Sequence, residues 1–240
     1  MKNIFKTLVA AIMLFTFSTS LQASGFGIGA TISSNSLDTA GKEIGSGTAG
    51  DNSGAADPGA TKNVTDDFAV GSIFAEYSAT DIKGTKLALT VGVDYIPFDA
   101  DIDKRSITQT ASGALAGGAS PQSTGTNSVE GTVEDHYTIY LQPGFMINPN
   151  TILYGTIGYA QATVIGKSKS LTHTDINKSQ DLDGVTTGAG IKHVRDSGIF
   201  IKLDYKNTDY ERVSFTTSNG TQANAKLDNE AFAFSVGKQF

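Results

Sequence analysis

The sequence predicts an all-β protein folded as an eight-stranded antiparallel up-and-down transmembrane β-barrel. Three observations predict this fold. Apolar and polar residues alternate with a period of two along several segments. Short turn-forming breaks alternate with long polar connections. Beyond the N-terminus, no segment approaches the roughly 20 apolar residues that a membrane-spanning helix needs.

The N-terminal residues 1–23 have the layout of a secretory signal peptide. Lys2 and Lys6 precede an apolar run over 8–17, and a polar stretch then ends at Ala23. We expect cleavage near Ala23, which leaves 24–240 as one outer-membrane β-barrel domain. The alternative, an anchoring helix, would need an apolar run about twice as long.

Composition excludes several classes of function. The predicted mature chain has 16 basic and 24 acidic residues, a formal charge of −8, because Lys2 and Lys6 are removed. Such a charge argues against a nucleic-acid partner, since phosphate binding needs clustered Lys and Arg. The absence of Cys excludes disulfides, thiolate metal sites and cysteine nucleophiles.

Eight segments show strand-like alternation. The clearest are 86–95, 136–145 and 199–206, and weaker copies occur at 26–32, 68–77, 153–159, 185–191 and 232–240. In chain order, the second segment (68–77) and the fifth (153–159) are irregular. In and beside them, apolar residues lie on the face that should be polar: Phe68, Val70, Phe74, Ile152 and Tyr154. Pro143 cannot donate a ladder hydrogen bond, which suggests a β-bulge.

The connections alternate in length. Short breaks lie at 79–84, 148–150 and 195–198, and long polar connections are expected at 34–65, 98–133, 166–182 and 210–228. Long extracellular loops and short periplasmic turns are typical of outer-membrane barrels. Closure is required because hydrocarbon offers no partner to an unpaired strand edge.

Side-chain size predicts which face points outward. The polar parity is mostly small, as in Ala88, Thr90 and Gly92, and this suits the narrow lumen of an eight-stranded barrel. The apolar parity should therefore face lipid. Five tyrosines near strand ends would form the interfacial girdles: Tyr77, Tyr95, Tyr137, Tyr159 and Tyr205. The alternative is a soluble lipocalin-like barrel with the two faces exchanged.

The last strand carries a family resemblance. Phe232, Phe234, Val236 and the terminal Phe240 share one parity, and this pattern resembles the strand that the barrel assembly machinery recognises. Lys238 departs from it, where an aromatic or aliphatic residue is usual. Segments 150–159 and 188–205 also resemble hairpins of the opacity-type and OmpA/OmpX-like outer-membrane barrel families. The resemblance implies a cell outer-membrane location in a Gram-negative bacterium, with membrane lipid, lipopolysaccharide, periplasmic chaperones and the assembly machinery as partners.

Charged residues on the inward parity form the candidate site. We expect a lumen network of Glu76, Asp94, His136, Lys192, Lys202, Asp204 and Lys206. These groups could plug the lumen or line a gated pore. A plug is favoured, because about eight strands leave room only for side chains or one small ligand.

No catalytic, metal or cofactor site is predicted. The acidic stretches Asp99, Asp101 and Asp103 and Asp175–Asp183 lack the ligand pattern of an EF-hand, so they are interpreted as solvated loops. His136, His173 and His193 have no metal-ligand spacing, and no nucleophile motif accompanies them. We therefore expect a non-enzymatic barrel with a structural or surface-interaction, adhesin-like role and an unidentified extracellular ligand. The alternatives are a narrow porin or conduit for small molecules, and a lipid A-modifying enzyme.

Overall fold

The chain forms a closed antiparallel β-barrel. The computed structural model describes residues 24–44, 61–111, 123–169, 176–216 and 222–240, so the predicted signal peptide lies outside the described residues. The strands are β1 (Gly25–Ile44), β2 (Thr61–Thr80), β3 (Leu87–Tyr95), β4 (Ala100–Ala111), β5 (Ser123–Asn148), β6 (Thr151–Lys169), β7 (Ile176–Val194), β8 (Ile199–Tyr210), β9 (Val213–Thr216) and β10 (Gln222–Gln239).

These strands build the predicted eight-stranded barrel. β4 continues β3 along the same partner, β5, and β9 continues β8 along β10. The last strand returns to the first, since Gly27 pairs with Gln239 and Ile44 with Gln222. The order β1-β2-β3-β5-β6-β7-β8-β10 therefore closes without a free edge in the part of the barrel that contains the β2–β3 ladder.

Short turns occupy one end, which we call the turn end. A single 3-10 turn over Ile82–Gly84 follows β2, and Pro149 and Asn150 join β5 to β6. The β7–β8 turn closes with the Gly198 amide donating to the Arg195 carbonyl at 2.7 Å, and Gly198 has a φ of 77° that a side chain would disfavour. The opposite end is the loop end. No helix in the described ranges is long and apolar enough to cross a bilayer.

The apolar parity faces outward, as predicted, in a band near the turn end. Leu89, Ile201 and Leu203 are exposed on the outside, and the lumen-facing Thr90, Lys202 and Asp204 are buried. We call this outer band the belt; its exposed members also include Ile28, Ile32, Ile73, Leu141, Leu153, Ile157, Val185, Phe234 and Val236. An apolar outside and a polar inside are the arrangement of a barrel that spans lipid.

Much of the sequence predicted as long loops is strand, so that prediction was wrong. β1 continues to Ile44, β2 starts at Thr61, β5 starts at Ser123 and β6 continues to Lys169. We call the part of the barrel that lies beyond the belt, toward the loop end, the extension; it includes these additional strand residues. Among the described residues, its strands have few apolar side chains on the outer face, and the periodicity that marks a membrane strand fades with them.

The extension has the reverse polarity. Its interior holds an apolar cluster, and its outer face carries exposed charges such as Asp181 and Glu211. The cluster consists of Leu37, Ala160, Val164, Leu182, Tyr210, Val213 and Leu227. A second cluster lies at the turn end and contains three of the residues that made the strand pattern irregular; its members are Phe74, Ala88, Ile152, Tyr154, Val194 and Phe200.

The register of β5 shifts at Asp135 and again between Met146 and Asn148, but not at Pro143. Pro143 pairs in register with Leu89, so the predicted bulge there was wrong; a proline can forgo one ladder bond without shifting the register. The register with β6 shifts between Glu134 and Tyr137, where Asp135 has a φ of 51°. This bulge re-aims the side chains of β5, so that Val133 and His136 both face the same cavity.

Candidate functional site

A buried ion cluster closes the lumen near the turn end. Lys192 Nζ lies 2.8 Å from Glu76 Oε1, and Lys202 Nζ lies 2.9 Å from Glu76 Oε2. Glu76 comes from β2, and the two lysines come from β7 and β8 on other sides of the barrel. All three residues are buried, so one carboxylate bridges two ammonium groups across the lumen.

Neutral groups complete the hydrogen bonding of this cluster. Lys192 also donates to Ser78 at 3.1 Å and to Gln239 at 3.0 Å, and Lys202 donates to Gln142 at 3.3 Å. These contacts matter because a buried charge is tolerated only when its remaining donors and acceptors are paired.

Aromatic side chains fill the space around the charges. The Tyr140 hydroxyl donates to Glu76 Oε2 at 2.9 Å, and the Tyr154 hydroxyl donates to Asp204 Oδ1 at 2.7 Å. Lys192 Nζ lies 4.2 Å from the centroid of the Phe200 ring, within cation–π range. Two carboxylates and two ammonium groups therefore lie in a compact, formally neutral assembly. We call it the plug; its members are Glu76, Lys192, Lys202, Asp204, Tyr140, Tyr154 and Phe200.

Inward glycines make room for the tyrosines of the plug. A Cβ on Gly92 would lie 2.5 Å from Cζ of Tyr140, and a Cβ on Gly190 would lie 2.7 Å from Cζ of Tyr154. Real Cβ atoms do not approach other atoms so closely, so both positions require glycine for the rings to fold across the lumen. The high glycine content of the inward parity is thus a packing requirement of the plug.

The predicted lumen residues lie at two levels of the barrel. Glu76, Lys192, Lys202 and Asp204 belong to the plug. Asp94, His136 and Lys206 line a cavity on the loop-end side, and Asp94 and Lys206 also share a small pocket with Lys202 and Asp204. Asp94 accepts a hydrogen bond from Ser72 at 2.9 Å, and His136 Nε2 lies 2.8 Å from the Tyr210 hydroxyl.

This loop-end cavity has a volume of about 330 Å³. Its lower wall is polar, with Thr138, Thr186 and Lys206, and its upper wall includes the apolar cluster residues Leu37, Leu182 and Leu227. Two buried atoms in its wall, His136 Nδ1 and Asn229 Oδ1, have no hydrogen-bond partner among the described residues. The cavity is thus bounded by the plug on one side and by the apolar interior of the extension on the other.

The two predicted acidic stretches are mostly strand rather than loop. Asp99 is exposed and precedes β4, Asp101 and Asp103 belong to β4, and 177–183 belong to β7, while Asp175 lies outside the described residues. No group of three potential metal ligands occurs in the part of the chain that the structure describes. His193 is an exposed turn-end residue that contacts Thr151, and His173 lies outside the described residues.

The terminal strand keeps its predicted face outward. Phe232, Phe234, Val236 and Phe240 are exposed on the outer surface of the barrel. Lys238 shares this face, and its ammonium donates to the Ser197 carbonyl in the β7–β8 turn. The lysine thus extends along the barrel rim and keeps its charge at the turn end, which accounts for a cation on the apolar parity.

Sequence reasoning missed the neutral and aromatic members of the plug. Tyr140 resembles an ordinary strand residue, and Gln142, Ser78 and Gln239 carry no motif. One signal was available: Phe74, Ile152 and Tyr154 broke the alternation toward the lumen. Large side chains on an inward parity indicate a filled interior, since an open channel would have no room for them.

Comparisons with known proteins agree with this architecture. A family model described as outer membrane protein beta-barrel domain matches residues 7–240. No curated protein matches the sequence. Solved structures with similar folds include Ail, the attachment invasion locus protein of Yersinia pestis, at 13% identity, 88% coverage of this chain, 99% of that chain and a TM-score of 0.35.

Two further structures have comparable likeness. The outer membrane protease OmpT from Escherichia coli is 8% identical to this chain. The alignment covers 93% of this chain and 99% of OmpT, with a TM-score of 0.46. Neisserial surface protein A has 11% identity, 91% and 99% coverage, and a TM-score of 0.34. By name, one of these structures is a protease, one is an attachment invasion locus protein and one is a surface protein, so these likenesses decide nothing about activity.

Proposed function

Because this chain belongs to the outer membrane protein beta-barrel domain family and resides in the cell outer membrane, we propose that it is a non-conducting surface barrel. In this proposal, the belt and plug form a closed anchor, and the extension and its loops interact with molecules outside the cell. The turn end faces the periplasm, and the loop end faces the exterior.

The plug is the observation that carries the proposal. Glu76 is fully buried, and Lys192 and Lys202 are exposed by only 2% and 4%. Charges that line a conducting pore must be in contact with water, whereas these three are paired with each other and enclosed by aromatic rings. Unpairing them would cost about 3–5 kcal/mol, which opposes opening.

The extension supports the surface-interaction part of the proposal. A membrane strand needs about 9–11 residues, and β5 has 26 and β2 has 20. About half of each strand therefore stands beyond the hydrocarbon. Its exposed outer face is acidic and hydrophilic, as expected of a segment that displays loops in water.

The membrane partners follow from the outer surface. The belt would contact outer-membrane lipid and the acyl chains of lipopolysaccharide. The exposed Phe232, Phe234, Val236 and Phe240 suit recognition by the assembly machinery after delivery by periplasmic chaperones. No second function has comparable support. Of the described residues, Tyr210 is the one that shares a side-chain hydrogen bond with His136, so no observation among them favours a lipid-modifying enzyme.

Ion conduction in planar lipid bilayers tests the proposal. We expect the wild-type barrel to be silent, and the double variant Tyr140→Ala with Phe200→Ala to conduct, because it removes two rings from the plug. The matched control is Tyr159→Ala with Tyr205→Ala, which removes two outward aromatic side chains and should stay silent. Each protein is first checked for the compact unheated electrophoretic species of a closed barrel.

Steady current steps from the wild-type barrel would contradict the proposal and favour the narrow porin. A silent plug variant that still forms a compact barrel would also count against it, because the plug would then not be the barrier.

A further inference from the structure

We propose that the loop-end cavity binds a small organic cation with an apolar, aromatic body, which enters through a gap in the barrel wall. This proposal concerns a ligand site that is separate from the plug. It goes beyond the surface role proposed above and does not depend on whether the barrel conducts.

The gap lies between β2 and the chain that follows β3. The β2–β3 ladder ends at Ile73 and Tyr95, and in the described part of the chain no backbone ladder joins residues 61–72 of β2 to β4. At the base of the gap, Ser72 Oγ donates to Asp94 Oδ2 at 2.9 Å. Pro97 follows this point and has no amide proton with which to extend the ladder.

The residues beside the gap also line the cavity. Asp66, Asp67 and Phe68 come from one side of the gap, and Ile96 and Phe98 come from the other. Phe68 is 37% exposed and Phe98 is 69% exposed, so two aromatic rings flank the opening. In the part of the chain that the structure describes, the cavity therefore reaches the outside through the wall.

The charge of the cavity favours a cation. Among the described residues, its lining contains the carboxylates of Asp66, Asp67 and Asp94 and one ammonium, that of Lys206. With His136 neutral, the formal charge of these described side chains is −2. Asp66 and Asp67 both line the cavity at the opening, and Asp67 is exposed. A cleft with low-dielectric walls concentrates such a field and attracts ligands of the opposite charge.

The walls favour an apolar body of limited size. Leu37, Leu182 and Leu227 form the upper wall, and Tyr210 adds an aromatic face that can contact a ring or a cation. The volume of about 330 Å³ falls at the lower end of the roughly 300–1,000 Å³ of small-molecule sites. His136 Nδ1 and Asn229 Oδ1, which lack partners, would hydrogen-bond the polar groups of such a ligand or its water.

A matched set of three probes tests the proposal. Phenylbutylamine, phenylbutanol and phenylbutyrate share one apolar body and differ in the charge of the terminal group. Binding to the full barrel in nanodiscs of zwitterionic lipid is measured by titration calorimetry, with empty nanodiscs as the reference. We expect saturable binding in the order amine, alcohol, carboxylate, with the amine about tenfold tighter than the carboxylate.

Two variants separate the charge from the apolar contacts. Asp66→Asn with Asp67→Asn should reduce the preference for the amine about fivefold and leave alcohol binding unchanged. Phe68→Ala should weaken all three probes to a similar extent, because it removes a contact that they share. The control Asp181→Asn with Glu211→Gln removes two carboxylates from the outer face, outside the cavity, and should change nothing.

Three outcomes would overturn the proposal: no saturable binding of the amine, equal binding of amine and carboxylate, or an equal loss of preference in the outer-face control. Every protein is checked for the compact unheated species, so that a misfolded variant is not scored. Probe binding is also measured on the Tyr140→Ala with Phe200→Ala variant, which alters the plug and leaves the cavity lining unchanged. We expect this variant to bind the probes as the wild type does, whether or not it conducts, so that failure of one proposal can be distinguished from failure of the other.

Discussion

The belt and the extension are built from the same strands but have opposite polarity. Around the belt, the outside is apolar and the inside holds Glu76, Lys192 and Lys202. In the extension, the outside is charged and the inside holds Leu37, Leu182 and Leu227. One strand can show both patterns: β8 has Leu203 outside and Lys202 inside near the turn end, and Asp209 outside and Tyr210 inside near the loop end.

The comparison shows that the surroundings determine which face of a strand is apolar. Where lipid covers the outside, an apolar outer face costs nothing, and the lumen can be filled with paired charges. Where water covers the outside, the barrel must bury apolar side chains internally, as a soluble barrel does. The loop-end cavity lies where the two interiors meet, which is why its wall is polar on one side and apolar on the other.

The largest predicted effect comes from breaking the plug. Glu76→Gln leaves Lys192 and Lys202 buried without their shared carboxylate, and we expect a loss of about 3–5 kcal/mol in the free energy of unfolding. Urea unfolding in phospholipid vesicles measures it. Adding Lys192→Met restores the formal charge balance and should recover part of the loss. The control is Glu211→Gln, which changes an exposed carboxylate. If Glu76→Gln lowers the free energy of unfolding no more than this control does, the plug charges are not coupled.

The next effect contrasts the two outer faces. Leu203→Arg places a charge on the belt and should cost about 2–4 kcal/mol if it lies near the bilayer midplane. Asn177→Arg makes a similar change on the exposed outer face of β7 in the extension and should stay within about 0.5 kcal/mol. The same vesicle unfolding experiment compares them. Equal costs would mean that the two outer faces share one environment.

A smaller effect is expected inside the extension. Leu182→Ala removes buried contacts from the apolar cluster, and we expect a loss of about 2 kcal/mol, at the lower end for such truncations because the site adjoins an existing cavity. Amide hydrogen exchange should show faster exchange in the extension and unchanged protection around the belt. Loosening of both regions together would indicate one cooperative unit instead of two interiors.

The smallest effect concerns an exposed ion pair in the extension. Lys226 Nζ lies 3.2 Å from Asp209 and 3.3 Å from Asp228, and hydrogen bonds to these two carboxylates raise the pKa of Lys226. A raised lysine pKa stabilises the fold at neutral pH, and this contribution is lost only as the pH rises above about 10.4. Lys226→Met should therefore shift the thermal midpoint less than any change above, and added salt should reduce the shift further. A shift that salt does not reduce would contradict this account.

The sequence predicts the belt well because its two faces differ in chemistry at every step. The alternation around Leu89, Leu141 and Leu203 identifies strands, and the short breaks identify the turn end. The same reasoning fails in the extension, where both faces carry Ser, Thr, Asp and Gly and the period of two fades. Phe68 and Val70 looked like errors of pattern, yet they mark the level at which the inside becomes apolar.

The plug was predicted only as a set of inward charges. Parity places Glu76 and Lys192 in the lumen, but their contact joins residues 116 positions apart and depends on barrel closure and strand stagger. The position of Asp94, His136 and Lys206 on the loop-end side of the plug likewise depends on height along the barrel axis, which parity does not encode. The β2 gap had no sequence signal except Pro97.

The reversal of polarity can be tested directly, because the chain contains no Trp and no Cys. Single tryptophans at Leu203 and at Asn177 would report the surroundings of the two outer faces in vesicles that contain brominated lipids. The account predicts strong quenching of the tryptophan at position 203 and none at position 177. Equal quenching at both positions, or no quenching at 203, would contradict it.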